Sequence, residues 1–286
     1  MDQINKVNDY PNLMSSEFYL DQVKKCVTFI FEEKGNGIIP LGTGFFVGIQ
    51  SQSDLHAVYF VTAKHVLQSA YVQGKVLLRM NTTKGNLEYI EIDLARHVIL
   101  THPDVNVDIA ATLLYPPQDH FDYLYIPQAY FVDNIVLKEK NIREGSRAFF
   151  AGLFGKFYGK QRNYPVVRFG NISLITDEKI EVEPTKFSHL YLVECQSLGG
   201  FSGSPVFFEY GRVTREKVFF SPEIYLGGVM KGHYNDFFEV PGFARELNAG
   251  LALVTPCYLL KELLYTEAAK QDRENALSGS KNTSNM

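Results

Sequence analysis

The chain has 286 residues, of which 45% are hydrophobic and 14% aromatic, a composition too apolar for a disordered protein. Its 28 basic and 32 acidic side chains give a formal net charge of −4, and no basic block would follow a phosphate backbone, so a nucleic-acid partner is not expected. No apolar run approaches the roughly 18 residues of a membrane span, so no membrane contact is expected either.

The first residues and the cysteines bear on the compartment. MDQINKVNDYPNLMSSEF is polar and lacks the charged and apolar regions of an export signal. Cys26, Cys195 and Cys257 are widely separated and have no CxxC spacing, so neither a disulfide framework nor a zinc site is predicted. Both observations favour reduced thiols in a cytoplasmic protein. A mature exported protein whose signal has been removed would show the same pattern.

Short runs rich in β-branched and aromatic residues recur between turn signals along most of the chain. No helical segment separates successive runs, which argues against βαβ units and for an all-β protein of two packed barrels or sandwiches. The predicted strands are VTFIF (27–31), TGFFVGI (43–49), AVYFVTA (57–63), KVLLRM (75–80), YIEIDL (89–94), IAATLL (109–114), RAFFAGL (147–153), VVRFGNISLI (166–175), HLYLVECQ (189–196), SPVFFEY (204–210), IYLGGVM (224–230) and GLALVTP (250–256).

The end of the chain has a different pattern. After Pro256, the segment CYLLKELLYTEAAKQ carries leucines at helical spacing, which predicts a C-terminal helix over about 257–270. Residues 271–286 are polar and are predicted to be disordered, and residues 1–18 are predicted to form a partly flexible N-terminal extension.

The segment GGFSGSP, residues 199–205, is the strongest local motif. Glycines on both sides of Ser202 allow a tight turn that leaves the hydroxyl exposed while nearby amide N–H groups converge beside it. Such a point can hold an oxyanion. An ordinary Gly/Ser-rich hairpin turn would have the same composition.

The segment VYFVTAKHVL, residues 58–67, ends a β-rich run at His65. An imidazole where a buried strand meets a loop is suitably placed for a general base. A packing or surface histidine is the alternative, and the chain has six others. These are His56, His97, His102, His120, His189 and His233.

The segment VNVDIAATLL, residues 105–114, places Asp108 directly before an apolar run. A carboxylate that enters the core needs a hydrogen-bonding partner to offset its desolvation, and an imidazole N–H would serve. The alternative is an Asp that caps a turn, and Asp104 lies nearby as a competing candidate.

Together these segments resemble the trypsin-like (chymotrypsin-fold) serine proteases, of the bacterial or intracellular type without disulfides. The matching motifs are TAKH, DIA and GFSGSP, in the family's order and at its usual spacing, and the resemblance covers residues 25–265. It implies a protease domain at 19–268 made of two packed six-stranded antiparallel β-barrels with a C-terminal α-helix. The first barrel would span about 25–125 and the second about 140–256.

The resemblance implies a serine endopeptidase that acts on protein or peptide substrates through an acyl-enzyme intermediate. Ser202 would be the nucleophile, His65 the general base and Asp108 the residue that orients the base. The backbone N–H groups of Gly200 and Ser202 would form the oxyanion hole. No metal or organic cofactor is implied.

Two departures from the family concern activation and specificity. Phe201 stands where secreted digestive members have the Asp that pairs with a newly cut N-terminus, so activation by that route is not expected. The strand at 224–232 should wall the substrate pocket. The pocket residues implied by the resemblance are Gln196 near its floor and Met230, Lys231 and Gly232 on its wall. Neither the wall nor the floor carries an Asp, so a preference for Arg or Lys is not supported.

Other interpretations can be compared with this one. An α/β-hydrolase would need G-x-S-x-G and the order Ser, Asp, His, which this chain does not have. A protease fold that only binds peptides would have no need of all three triad residues. A protease that a regulatory protein partner switches on is the third interpretation, and the glycine-rich region 130–165 is predicted to be mobile enough for such control. Lys231 and His233 favour an acidic or polar substrate side chain, unless both point to solvent.

Overall fold

The computed structural model describes residues 19–50, 56–183, 185–195, 199–210, 223–240 and 243–283. Residues 1–18, predicted as a flexible extension, and Gln196, predicted at the pocket floor, lie outside the described residues.

The first half of the chain forms an eight-stranded sheet in the order β5-β4-β1-β2-β3-β7-β6, with β8 pairing in parallel with β2. Side chains of β2 alternate between two cores, since Phe45 and Val47 belong to one buried cluster and Phe46 to the other. The elements are α1 (Tyr19–Cys26), β1 (Val27–Lys34), β2 (Gly37–Gln50), β3 (His56–Thr62), α2 (Lys64–Gln68), β4 (Lys75–Asn81), β5 (Leu87–Asp93), β6 (Leu100–Thr101), β7 (Ala110–Leu113), β8 (Ile126–Pro127), a 3-10 helix (Gln128–Tyr130) and α3 (Asn134–Glu139).

The second half forms a closed six-stranded barrel in the order β10-β13-β16-β15-β14-β9. Aromatic side chains fill its interior, and the rings of Phe149 and Phe207 stack at 5.1 Å. The elements are β9 (Arg147–Gly152), β10 (Val166–Leu174), β11 (Ile180–Glu183), β12 (Lys186–Ser188), β13 (Tyr191–Glu194), β14 (Pro205–Tyr210), β15 (Glu223–Val240) and β16 (Phe243–Pro256), of which β11 and β12 form a separate hairpin.

The structure confirms a mostly β protein with one closed barrel, but it does not confirm a second one. In the described residues, the edge strands β5 and β6 of the first sheet are not paired with each other, and β6 has two residues only. The structure also has short helices between strands, α2, α3 and the 3-10 helix, where none was predicted. Each is too short for a helical apolar period to be visible in the sequence.

Two helices, α4 (Cys257–Leu264) and α5 (Glu267–Thr283), follow the last strand. The predicted C-terminal helix is therefore present, and helical structure continues past its predicted end at residue 270 as far as Thr283. The physical reason is Arg273, which is buried and donates hydrogen bonds to Tyr59 Oη at 3.0 Å and to Leu264 O at 2.6 Å. None of the described helices combines the length and the apolar character that crossing a membrane requires.

The region 130–165, predicted to be mobile, is anchored at its C-terminal end by a buried arginine of the first sheet. Arg79 on β4 is 2% exposed, and its guanidinium donates to Gly159 O at 2.7 Å, Tyr158 O at 3.1 Å and Asn163 Oδ1 at 2.5 Å. It also lies 5.2 Å from the centre of the Tyr158 ring. Because one side chain satisfies several carbonyl groups at once, the loop between β9 and β10 has a defined conformation.

Candidate active site

His65 lies in α2, just after the end of β3, which is flanked by β2 and β7 in the first sheet. β3 ends at Thr62, whose hydroxyl donates to Thr43 O at 2.7 Å, and the short helix α2 begins two residues later. Val66 and Leu67 in this helix are buried, whereas the His65 side chain is 47% exposed. The helix therefore anchors the backbone of His65 and leaves the imidazole at the surface.

Asp108 lies directly beside this histidine, because β3 pairs with β7 and the register opposes Thr62 to Ala110. One oxygen of Asp108 is 2.6 Å from His65 Nδ1, and the other accepts the backbone N–H of His65 at 2.9 Å. An ionised carboxylate can only accept, so Nδ1 of the ring carries a proton, and in the neutral imidazole Nε2 then has the lone pair.

The environment of Asp108 favours its charged form. Its side chain is 9% exposed, and this burial acts to raise the pKa of the carboxyl. The ring and backbone hydrogen bonds from His65 outweigh the burial, so the pKa of Asp108 is lowered from its usual value. The competing candidate Asp104 lies in a different environment, since it pairs with Lys179 at 2.9 Å and accepts the N–H of Asn106 at 3.0 Å.

Ser202 lies in the tight turn that precedes β14, and both halves of the protein hold that turn. Ser202 O accepts the N–H of Thr43 at 2.9 Å, and Gly203 N–H donates to Met230 O at 2.8 Å. Gly203 has a φ of +85°, and a Cβ there would clash with Thr43 O, so a glycine is required.

The Ser202 hydroxyl does not contact the imidazole in this conformation. Its Oγ donates to the backbone carbonyl of Lys231 at 3.2 Å, and within the described part of the chain it has no hydrogen bond to His65. The structure thus brings His65 and Asp108 together and leaves the Ser202 side chain turned toward the neighbouring strand β15.

The predicted oxyanion donors lie on the same turn. Gly200 has a φ of +102°, a Cβ on it would collide with Leu153, and its carbonyl accepts the Thr43 hydroxyl at 2.8 Å. Neither the N–H of Gly200 nor that of Ser202 donates to another residue that the structure describes. Within the described part of the chain, two backbone donors beside the Ser202 side chain are therefore left without an acceptor.

Two supports of this turn were missed by sequence reasoning. Phe201 is fully buried, with ring centres 5.0 Å from Phe150 and 5.6 Å from Phe154. Thr43 on β2 bonds the turn through its N–H and its hydroxyl, and the same hydroxyl accepts the N–H of Leu153 at 2.9 Å. The signal for Phe201 was present as an apolar residue inside a polar glycine-rich turn, whereas nothing in the sequence links Thr43 to residues more than a hundred positions away.

A cavity of about 860 Å³ opens in front of the histidine, and its lining includes His65 and Asp108. Of the predicted pocket residues, Lys231 and Gly232 line this cavity. Met230 does not belong to that lining, because its side chain is fully buried in the barrel core. The Met230 carbonyl instead accepts the N–H of Gly203, at 2.8 Å.

No protein-family model matches this chain, and neither does any curated protein. Among solved structures, the chain is similar to the apo MamO protease domain from Magnetospirillum magneticum, with 15% identity and a TM-score of 0.51 over 86% of this chain and 100% of that one. It is also similar to the crystal structure of Deg5, with 14% identity and a TM-score of 0.48 over 85% of this chain and 88% of that one. The predicted resemblance to the trypsin-like serine protease fold is confirmed as a resemblance of fold.

Proposed function

We propose that this chain of trypsin-like protease fold is a serine endopeptidase, which cleaves peptide bonds in protein or peptide substrates through an acyl-enzyme on Ser202. The observation that carries the proposal is the pairing of His65 with the buried Asp108, at 2.6 Å, beside a turn that offers Ser202 and two amide N–H groups with no acceptor among the described residues. The cytoplasmic location and the two-barrel description remain predictions from the sequence.

In the proposed mechanism, the Ser202 hydroxyl leaves the Lys231 carbonyl and turns toward His65 Nε2 by rotation about its χ1 angle. Oγ then attacks the scissile carbonyl carbon while Nε2 takes the hydroxyl proton. Asp108 holds the Nδ1–H of His65 and stabilises the imidazolium that results. The N–H groups of Gly200 and Ser202 would donate hydrogen bonds to the developing oxyanion.

The second half of the reaction returns the proton. The imidazolium of His65 protonates the leaving amine, which departs with the C-terminal part of the substrate, and Ser202 stays esterified to the N-terminal part. Water then attacks the ester with His65 again acting as the base, and Ser202 regains its proton. All of these steps use groups of the chain and one water molecule.

The test is covalent labelling with an uncharged fluorophosphonate, which reacts with an activated serine. We expect Ser202 to be labelled and Ser202→Ala to abolish the labelling, as measured by intact mass and peptide mapping. Ser204→Ala is the matched control, because Ser204 is fully buried two positions away and its hydroxyl has no hydrogen-bond partner in the described residues. Equal labelling of the Ser202→Ala protein would show that Ser202 is not the nucleophile.

A second candidate is a protease fold that stays silent until a partner or ligand orders it. The hydrogen bond from Ser202 Oγ to Lys231 O favours it, because the hydroxyl is directed away from the base. This interpretation predicts slow labelling and weak peptidase activity of the isolated chain, with stimulation by a regulatory protein or by activating cleavage. Rapid labelling of the isolated chain would remove the need for it.

A further inference from the structure

The cavity in front of His65 has a concentration of positive charge. Lys64, Lys186 and Lys231 line it, and among its described lining residues the only carboxylate is Asp108. Both oxygens of Asp108 are engaged by His65. The chain as a whole carries a formal net charge of −4, so this positive cavity is a local feature and does not reflect the general composition.

Two of these lysines form no ion pair with a carboxylate in the described residues. Lys64 Nζ donates to the backbone carbonyl of Val105 at 2.6 Å, which is a neutral acceptor. Lys231 forms no hydrogen bond or ion pair through its side chain with any residue that the structure describes. By contrast, Lys179 close by is neutralised by Asp104 at 2.9 Å. In the part of the chain that the structure describes, Lys64 and Lys231 thus form no ion pair, Lys231 interacts with Asp108 only through its longer-range field, and both lysines line the cavity that the substrate would enter.

The positions of the two lysines along the chain tie them to the proposed chemistry. Lys64 immediately precedes the candidate base His65, and the backbone carbonyl of Lys231 holds the hydroxyl of Ser202 at 3.2 Å. Both lysines therefore belong to segments that hold a reacting group, and both line the cavity. A peptide whose scissile bond lies between these groups would have its neighbouring side chains within the field of both lysines.

We propose that this cavity selects peptides that carry anionic side chains next to the scissile bond, namely Asp, Glu or phosphorylated Ser. This inference rests on the proposed function, because it assigns the substrate class of the same site. The described lining contains lysines and no arginine. An ammonium is a compact point charge without the planar fork that fits one acid geometry, so the cavity selects charge and accepts carboxylate and phosphate alike.

The inference is tested by binding to the Ser202→Ala protein, which cannot form the acyl-enzyme. Fluorescence anisotropy compares two pools of labelled random neutral octapeptides that differ only in a central Glu-Glu or Gln-Gln, together with a phosphoserine and serine pair. An exposed charge pair contributes roughly one-and-a-half- to fivefold, so the lysines together predict roughly tenfold tighter binding of the Glu pool. Phosphoserine should bind at least as tightly as Glu, since it carries more charge.

The role of the lysine charge is tested by adding Lys231→Gln to the Ser202→Ala protein. This substitution removes the charge and keeps the backbone carbonyl that accepts the Ser202 hydroxyl in the unaltered protein. It should reduce the preference for Glu over Gln to about threefold, and raising the salt from about 0.05 to about 0.5 M should reduce it further. Lys84→Gln is the matched control, because Lys84 is an exposed lysine outside the cavity, and the preference should not change.

Equal binding of the Glu and Gln pools would overturn the inference, and so would an equal loss of preference in Lys84→Gln and Lys231→Gln. The fluorophosphonate result separates this failure from that of the proposed function. Labelling of Ser202 without a charge preference leaves the endopeptidase standing and removes the anionic substrate class. A charge preference without labelling supports an anion-selective peptide cleft and removes the endopeptidase.

Discussion

The two parts of the candidate site differ in how completely they are assembled. His65 and Asp108 already make both of their mutual hydrogen bonds, at 2.6 and 2.9 Å. The Ser202 hydroxyl donates instead to Lys231 O at 3.2 Å. The base is therefore preorganised in the free protein, whereas the nucleophile has to rotate before it can react.

The difference follows from how each part is held. His65 and Asp108 lie at adjacent ends of β3 and β7, and the ladder between these strands fixes their separation. Both halves of the protein hold the backbone of the turn that contains Ser202, but the Ser202 hydroxyl can still rotate about the χ1 angle. A net hydrogen bond is worth about 1 kcal/mol, so releasing it from Lys231 O would slow the reaction by no more than roughly tenfold.

Removing the charge of Asp108 should have the largest effect on the assembled part. Asp108→Asn keeps the size of the side chain, but an amide can turn its NH₂ toward Nδ1 and stabilise the wrong tautomer of His65. We expect kcat to fall by about 10⁴-fold, with little change in KM, in a peptide hydrolysis assay. Asp104→Asn is the matched control, because it removes a nearby surface carboxylate, and its kcat should stay close to that of the unaltered protein.

Similar losses of kcat in Asp108→Asn and Asp104→Asn would contradict this prediction. The pairing of Asp108 with His65 would then be a packing contact, and the assembled part of the site would have no special role in the reaction.

Removing the aromatic anchor of the turn should have the next largest effect. Phe201→Ala leaves a cavity between Phe150 and Phe154, and we expect the free energy of unfolding to drop by about 3–5 kcal/mol in chemical denaturation. Phe157→Ala is the control with the same chemical change, because Phe157 is 69% exposed. Its ring stacks on Phe154 at 5.6 Å, so the substitution should cost about 1 kcal/mol, well below the cost of Phe201→Ala.

The rate at which the fluorophosphonate labels Ser202 in Phe201→Ala shows whether Phe201 also positions the turn. If Phe201 positions the turn, fluorophosphonate labelling of Ser202 in folded Phe201→Ala should be slower than in the unaltered protein at a temperature where both are native. Unchanged labelling would mean that the hydrogen bonds from Thr43 position the turn without the aromatic cluster.

The smallest expected effect is a pH dependence of stability. Because the pKa of Asp108 is lower in the folded protein than its usual value, the ionised carboxylate stabilises the fold at pH values above that usual value. This contribution is lost as the pH falls through the lowered folded pKa. The stability difference between the unaltered protein and Asp108→Asn should therefore shrink on acidification below about pH 4, as measured by urea unfolding at a series of pH values. A difference that grows in acid would contradict the direction of the shift.

Local patterns in the sequence were sufficient for the strands and for the positions of the motifs. Alternation and turn residues mark β1, β4 and β14 within a few residues of their observed bounds, since both signals come from neighbouring positions. The placement of Asp108 before an apolar run likewise predicted a buried carboxylate with an imidazole partner. The short helix α2 was missed, because five residues carry no readable period.

Long-range contacts account for what the sequence did not predict. Helical structure continues past the predicted end at residue 270, because Arg273 reaches Tyr59 on a strand more than two hundred positions earlier. In the sequence, Arg79 is one polar residue within a predicted strand. In the structure, it anchors the loop that contains Asn163. Partners this distant are chosen by packing, which no local period encodes.

The sequence by itself determined the order of the three motifs, the β-rich architecture and the separation of Ser202 from Ser204 and of Asp108 from Asp104 as candidates. Tertiary structure alone decided that His65 and Asp108 meet, that the Ser202 hydroxyl turns to Lys231, and that lysines from separate segments line one cavity. The physical reason is that backbone preferences and hydrophobic alternation act over a few residues, whereas the direction of a side chain and the field of a group of charges depend on which distant segments fold against each other.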